Sequence, residues 1–415
     1  MDVKALFERN AQRLDRLYAG VDQLERYQKL ADDFRAHFGR EPEMFVSAPG
    51  RTEVVGNHTD HNRGRVLAAA VNLDTVAAVA PRADGIVKLY SAGYDQPFVV
   101  DTKELTARED EKETTFALIR GVAAKLSMEG YAIGGFDAEV TSTVFKGSGL
   151  SSSAAFEVML VAAFDALYNG WVIDAKKNAV ISQYAENVYF GKPSGLLDQS
   201  ASAAGGLVTI DFGPDDPVVE QLSFDFGAKG YMVCVVAAGG DHGNLTDQYA
   251  AIPAEMKQVA EHMGVDCLAR ITAQQLEDAV PALKGNVSDR VILRAFHFVD
   301  ETRRVSEAVA AIRADDVPGF FRAVIGSGES SWKLLQNLFV PGGDNQEMPL
   351  ALEMSRRMLE GRGAWRIHGG GFAGTILAFV PSDMMERYAK TMDAVFGQGA
   401  ACALAIRPEG AVCLR

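Results

Sequence analysis

The sequence predicts an α+β chain of two lobes with a ligand held between them, on three observations. Short apolar and β-branched runs crowd residues 44 to 100. Helical spacing dominates the second half. A glycine-rich turn at 147 to 157 runs straight from a strand into an apolar helix. The turn-rich loop Gly213-Pro214-Asp215-Asp216-Pro217 marks a soft boundary, which gives an N-terminal lobe over 1–213 and a C-terminal lobe over 214–415.

Taken in order, residues 3 to 37 space Leu6, Leu14, Leu17, Val21, Leu24, Tyr27, Leu30 and Phe34 on a charged background, which predicts one or two amphipathic helices. Strands are expected at 44–46, 66–71, 75–79 and 87–90, separated by Gly, Asn and Asp. A helix is expected from 116 to 126, and a strand from 136 to 143 feeds the glycine turn. Residues 152 to 168 are apolar nearly all round, as in a helix buried between layers, and a second helix follows at about 175 to 189. Strands at 207–210 and 231–236 flank the boundary loop. Helices then predominate, near 247–263, 289–312, 318–338, 347–360 and 382–396, with closing strands around 375–380 and 403–406.

Composition narrows the function. The 415 residues are 48% hydrophobic and 23% charged, enough for two cores, and the formal charge is −14 from 55 acidic against 41 basic residues. Nucleic acid and anionic membranes both need a basic face, so neither is an expected partner. The amino terminus lacks a secretory layout and no apolar run is long enough to span a bilayer, so a cytoplasmic location is expected. The four cysteines, Cys234, Cys267, Cys402 and Cys413, form no CxxC pair and read as reduced, mostly buried small side chains.

The glycine turn, Gly147-Ser148-Gly149-Leu150-Ser151-Ser152-Ser153, has the makings of a phosphate cradle without a lysine. Its glycines let the backbone approach a ligand, its serines supply hydroxyls, and the amides opening the next helix carry partial positive charge. No GxxxxGK[ST] pattern occurs, so an ATP site here lies outside the P-loop enzymes. The competing reading is an ordinary serine-capped helix.

Three other clusters stand beside it. Arg51 to Asn62 ends in the polar run Asn57-His58-Thr59-Asp60-His61-Asn62, whose hydrogen-bonding density suits sugar hydroxyls. A metal held by His58, Asp60 and His61 is the rival reading, and an unliganded polar loop is the plain one. Glu186 precedes Gly195-Leu196-Leu197-Asp198-Gln199, where a carboxylate set among apolar residues and glycine could orient a hydroxyl and take its proton. Gly369-Gly370-Gly371-Phe372-Ala373-Gly374 satisfies GxGxxG by count but leads into a strand, so the dinucleotide reading fails its context and a backbone nest remains open.

In order and spacing these four segments resemble the galactokinase branch of the GHMP kinases. That resemblance implies a two-lobed fold with the active site between the lobes, ATP and Mg²⁺ as cofactors, and a sugar as the other small-molecule partner. It implies that Asp198 sits by the anomeric hydroxyl as base or electrostatic anchor, and that Arg51 stabilises the developing alkoxide and the γ-phosphoryl group. Ser153 or Ser152, with Glu186, would hold Mg²⁺. Asn57, His58, Asp60, His61, Gly195 and Tyr249 would line the sugar, and the serine turn with Gly370 and Gly371 would bind ATP.

The chain departs from that pattern in places. Galactokinases usually carry Glu where it has Asn57, the residue that meets the C6 hydroxyl, and Tyr where it has His61. Losing that carboxylate makes a hexuronate such as galacturonate an alternative substrate to galactose. Phe145 replaces a proline before the turn, and Ala251-Ile252 replace two arginines after Tyr249. A non-catalytic sugar sensor and a kinase of a non-sugar alcohol are the other readings. The presence of both Arg51 and Asp198 speaks against the first, and the polar run speaks against the second.

Overall fold

The amphipathic segment at the start of the chain forms three helices where one or two were expected: α1 (Val3–Arg9), α2 (Ala11–Tyr18) and α3 (Leu24–Phe38). Asn10 separates the first two, and left-handed Ala19 with Gly20 ends the second, so a single helical stripe is broken twice. A computed structural model describes residues 1–144, 149–239, 245–339, 344, 346–372 and 374–415. Gly147 and Ser148 of the expected phosphate turn, and Ala373 of the third motif, lie outside the described residues.

The strand-rich region contains β1 (Met44–Val55), β2 (Arg65–Arg82), β3 (Ile86–Ser91) and β4 (Phe98–Asp101), followed by α4 (Thr115–Met128) and β5 (Gly135–Ser142). The two short strands expected at 66–71 and 75–79 are one 18-residue strand. The Asn and Asp between them are not turn residues. Asn72 accepts the Ala405 amide through its side chain, and buried Asp74 pairs with Arg26 and Arg407. The middle of the chain holds α5 (Ser152–Phe164), α6 (Ala175–Tyr184), α7 (Leu197–Ala204), β6 (Leu207–Asp211) and β7 (Val218–Leu222). Each of α5 and α6 runs into a π-helical turn, Asp165–Asn169 and Ala185–Phe190 respectively.

Beyond these lie β8 (Tyr231–Gly239), α8 (Thr246–His262), α9 (Ala273–Leu283), α10 (Asp289–Arg313), α11 (Val317–Ser330), α12 (Glu347–Leu359), β9 (Ala364–His368), β10 (Gly374–Pro381), α13 (Met385–Phe396), β11 (Ala401–Leu404) and β12 (Val412–Leu414). The first sheet runs β12-β1-β2-β5-β3-β4, with β6 paired to β2 and β7 to β6, and the second runs β11-β8-β10-β9. A division at residue 213 therefore cuts across the first sheet. β7 pairs with β6, and β12 returns from the chain terminus to pair with β1. A strand is placed by its hydrogen-bonding partner, and neither partner is visible in local composition.

One core fills the space between the first sheet and α4 to α7. A second joins Val54, Val55, Leu67 and Ala69 of that sheet to β8, β10, α10 and α11. The far end of β1 thus leaves the first core and enters the second, which carries the polar run after Val55 to the junction of the two sheets.

Candidate active site

The site begins at a shift in the pairing of β1 with β2 between Pro49 and Arg51. There the Arg51 amide donates to the Leu150 carbonyl at 3.0 Å. A side chain on Gly50 would meet that carbonyl at 2.9 Å and Val144 at 3.1 Å, so glycine is what lets the turn lie on the strand. The buried Arg51 guanidinium forms a two-pronged pair with Asp198, Nε to Oδ1 at 2.6 Å and Nη2 to Oδ2 at 2.7 Å. Its remaining nitrogen donates to the Gly149 carbonyl.

Ser151 sits at the N-terminus of α5 with φ 58°, and its side chain caps nothing. Its hydroxyl donates instead to Asp198 Oδ2 at 2.7 Å. Ser151 therefore does not act as a helix cap, and among the described residues no side-chain cap is made at the N-terminus of α5. Burial pushes the Asp198 carboxyl up, but the Arg51 charge and the hydrogen bonds from Arg51 and Ser151 outweigh it and hold the group below the ordinary carboxylate range.

Ser153 and Glu157 lie one turn apart on α5, and Glu186 faces them from the π-helical turn after α6. Glu186 Oε1 accepts Ser153 Oγ at 3.1 Å and Lys192 Nζ at 3.2 Å. Its Oε2 accepts Ser194 Oγ at 2.6 Å and Gln199 Nε2 at 2.8 Å, and the same amide reaches Glu157 Oε2 at 3.1 Å. Glu157 is fully enclosed, and burial, followed by the Glu186 charge, pushes its carboxyl well above the ordinary range. The Ser153 hydroxyl beside the Glu186 carboxylate fits Mg²⁺ brought in on a nucleotide, since that ion is bound through one or two carboxylates together with substrate phosphates.

The polar run behaves differently from the expectation of a simple sugar-facing row. Asn57 is buried and every polar atom it has is in use. Its Nδ2 donates to Glu53 at 3.0 Å and to the Gly369 carbonyl at 2.8 Å, and its Oδ1 accepts Asn337 at 2.9 Å and Ser331 at 3.3 Å. Its amide reaches Glu301 at 3.3 Å, and its carbonyl accepts His297 Nε2 at 2.9 Å. The expected contact of Asn57 with a sugar substituent therefore has no free atom to make it. His58, at φ 56°, donates Nε2–H to the Gly370 carbonyl at 2.9 Å, which leaves Nδ1 as an acceptor. Tyr249 donates to the Gly371 carbonyl at 2.8 Å and sets its ring edge-on to Phe372.

The carbonyls of Gly369, Gly370 and Gly371 are thus each held by a side chain of Asn57, His58 or Tyr249. The strand β10 follows this turn, so the dinucleotide reading, which needs a helix there, fails in the structure as well. Asp60 lies against Gly195, where a β-carbon would collide with the carboxylate, so two of the expected sugar residues do meet. His61 is exposed beside them, its Nε2 at 3.7 Å from Asp60 Oδ1. Among the described residues no three His, Cys, Asp or Glu side chains gather as metal ligands, so His58, Asp60 and His61 do not form the rival metal site.

Sequence reasoning missed the layer behind these residues. Glu53 joins Asn57 to Arg366, whose Nη2 it accepts at 2.9 Å, and Glu301 takes the amides of Gly56 and Asn57. His368 packs beneath Gly149, where a side chain would meet its Nδ1 at 2.8 Å, and bonds Thr375 at 2.9 Å. The spacing of Ser153 and Glu157, four apart on one helix face, was the available signal for Glu157. Asn337, His297 and Glu301 sit on or after helices with no local signature.

Comparison with known proteins places this geometry. Residues 32–81 match the galactokinase galactose-binding signature and residues 117–206 match the GHMP kinases N terminal domain. The chain is 33% identical over 375 residues to a galactokinase of Streptomyces coelicolor, covering 88% of this chain and 92% of that protein. It is 30% identical to a galactokinase of Glaesserella parasuis, over 86% of this chain and 90% of that one. The fold matches that of a Lactococcus lactis galactokinase crystallised with galactose, at TM-score 0.81 and 24% identity over 93% of this chain and 99% of that one. A Methanococcus jannaschii mevalonate kinase matches at TM-score 0.63 and 14% identity over 88% and 98%. No described helix is long and apolar enough to cross a membrane. The chain belongs to the galactokinase branch of the GHMP kinases and is a sugar kinase.

Proposed function

We propose that this sugar kinase transfers the γ-phosphoryl group of ATP to the anomeric hydroxyl of galactose. The observation that carries the reading is the convergence on Asp198 of Arg51 from β1 and Ser151 from the phosphate turn. Phosphoryl transfer is governed by positioning and charge neutralisation, and this cluster offers both. Asp198, held ionised, accepts the hydrogen bond of the incoming hydroxyl and aims its oxygen. Its depressed proton affinity makes it a stronger anchor than base. Arg51 stays charged and lies between Asp198 and the turn, where it offsets charge on the alkoxide and the transferred group.

The uncapped amides of α5 supply the phosphate end of the site. Ser153 and Glu186 would hold Mg²⁺, which neutralises phosphate charge when bound. Asp60, Gly195 and His61 would face the sugar ring. His58 and Tyr249 act through the glycine turn whose carbonyls they hold, and Gly370 and Gly371 would stand at its nucleotide side.

The hexuronate alternative drew on a free amide at Asn57, and that amide is spent inside the protein. Its remaining support is His61, exposed beside Asp60 where its imidazole could donate a hydrogen bond to a carboxylate. A coupled ADP-release assay across galactose, galacturonate, glucuronate, arabinose and N-acetylgalactosamine tests the assignment. Turnover with galactose is expected. Turnover confined to the uronates would replace galactose as substrate, and no sugar-dependent ADP from any of them would indicate the non-catalytic sensor.

A further inference from the structure

Lys146 directly precedes the phosphate turn and lies outside the described residues, and among the described residues the fold brings Lys192 against Glu186. Lys192 follows the π-helical turn Ala185–Phe190 and Gly191, whose φ of 88° folds the chain back so that the Lys192 amide donates to the Glu186 carbonyl at 3.1 Å. The side chain is 60% exposed, and its ammonium lies 3.2 Å from Glu186 Oε1. That oxygen also receives the Ser153 hydroxyl, so Lys192 occupies the face of the carboxylate assigned above to magnesium.

A lysine and a divalent cation cannot share one carboxylate oxygen at contact distance without strong repulsion. Displaced from Glu186, the ammonium would need another acceptor. Asp198 also lies in its field but is held by Arg51 and Ser151, and Glu157 is enclosed and bonded to Gln199. The acceptor that arrives together with the metal is the phosphate chain of the nucleotide. We propose that Lys192 is a nucleotide-phosphate contact, neutralising Glu186 until a metal takes its place and then bonding a phosphate oxygen of ATP. This rests on the reading of Ser153 and Glu186 as the metal-nucleotide residues.

Isothermal titration of the intact chain with magnesium and AMPPNP tests it, with circular dichroism to confirm folding and Mn²⁺ resonance to follow the metal separately. Lys192→Met is expected to weaken AMPPNP binding about tenfold or more, and Lys192→Arg to retain most of it, as for a charge-assisted bond to phosphate. Equal or tighter binding by Lys192→Met would overturn the proposal, because that is the behaviour of a lysine that only competes with the metal. Glu186→Gln should lose Mn²⁺ while remaining folded. If it does and Lys192→Met binds as wild type, the metal assignment stands and the lysine contact fails. Undiminished Mn²⁺ binding by Glu186→Gln would refute the metal assignment itself, and with it the displacement argued for Lys192.

Discussion

Asn57 donates its side-chain amide to the carbonyl of Gly369 at 2.8 Å and so fastens the end of β1 to the glycine turn after β9. The position at which galactokinases usually carry Glu is in this chain a strut between the two sheets. Of a carboxylate there, one oxygen could keep the donors Asn337 and Ser331, but the other, in place of Nδ2, would face the Gly369 carbonyl and the Glu53 carboxylate with no donor. Asn57→Glu is therefore expected to destabilise the fold by about 3 kcal/mol or more, read by urea unfolding, because an unpaired charge is buried beside another. Stability equal to wild type would show that position 57 opens to solvent or substrate.

Ser151 distinguishes the phosphate turn from a capped helix. Its hydroxyl is bonded to Asp198, not to the helix amides. Ser151→Ala should then cost well under the ~1 kcal/mol typical of a lost cap, while kcat falls about tenfold through the lost hydrogen bond to an ionised group. A loss of stability with unchanged kcat would restore the cap reading.

The two-pronged pair between Arg51 and Asp198 predicts unequal tolerance to conservative change. Asp198→Asn is expected to lower kcat about a thousandfold with the far-ultraviolet spectrum preserved, and Arg51→Lys about a hundredfold, since an ammonium cannot reach both carboxylate oxygens and the Gly149 carbonyl. A near wild-type rate in either variant would remove that residue from the transfer step.

Acid should destabilise the protein through its enclosed imidazoles. Burial pushes His58, His297 and His368 below the ordinary histidine value, and at His368 the charges of Arg51 and Arg366 add to it. Below about pH 6.5 the unfolded chain takes up protons that the folded one refuses, so stability falls with pH until the lower folded values are passed. Melting temperature should be insensitive to these groups above that pH and decline below it, and His368→Gln should flatten the decline. An unchanged slope in that variant would show that His368 takes no part.

Much of the site was legible along the chain because its parts are local. The turn at 147 to 157, the polar run from Asn57 and the pair Glu186 and Asp198 each sit in a segment whose residue types announce their chemistry. Strand and helix periodicity likewise located most elements, since burial of one face imposes a spacing of two or 3.6 residues. What local pattern could not reveal is direction and partner. Asn57 and Asp198 are both polar residues in glycine-containing motifs, yet the fold turns the first inward to Gly369 and Asn337 and the second toward Arg51 and Ser151. β12 completes the first sheet from the far end of the chain, and Lys192 meets Glu186 only because a π-helical turn folds back on itself. Asn57 and Gly369 stand 312 residues apart in the chain and Arg51 and Asp198 147 apart, so neither pairing leaves a local pattern. Residue types determined that a phosphoryl group and a sugar are handled, and tertiary structure decided which side chains are free to touch them.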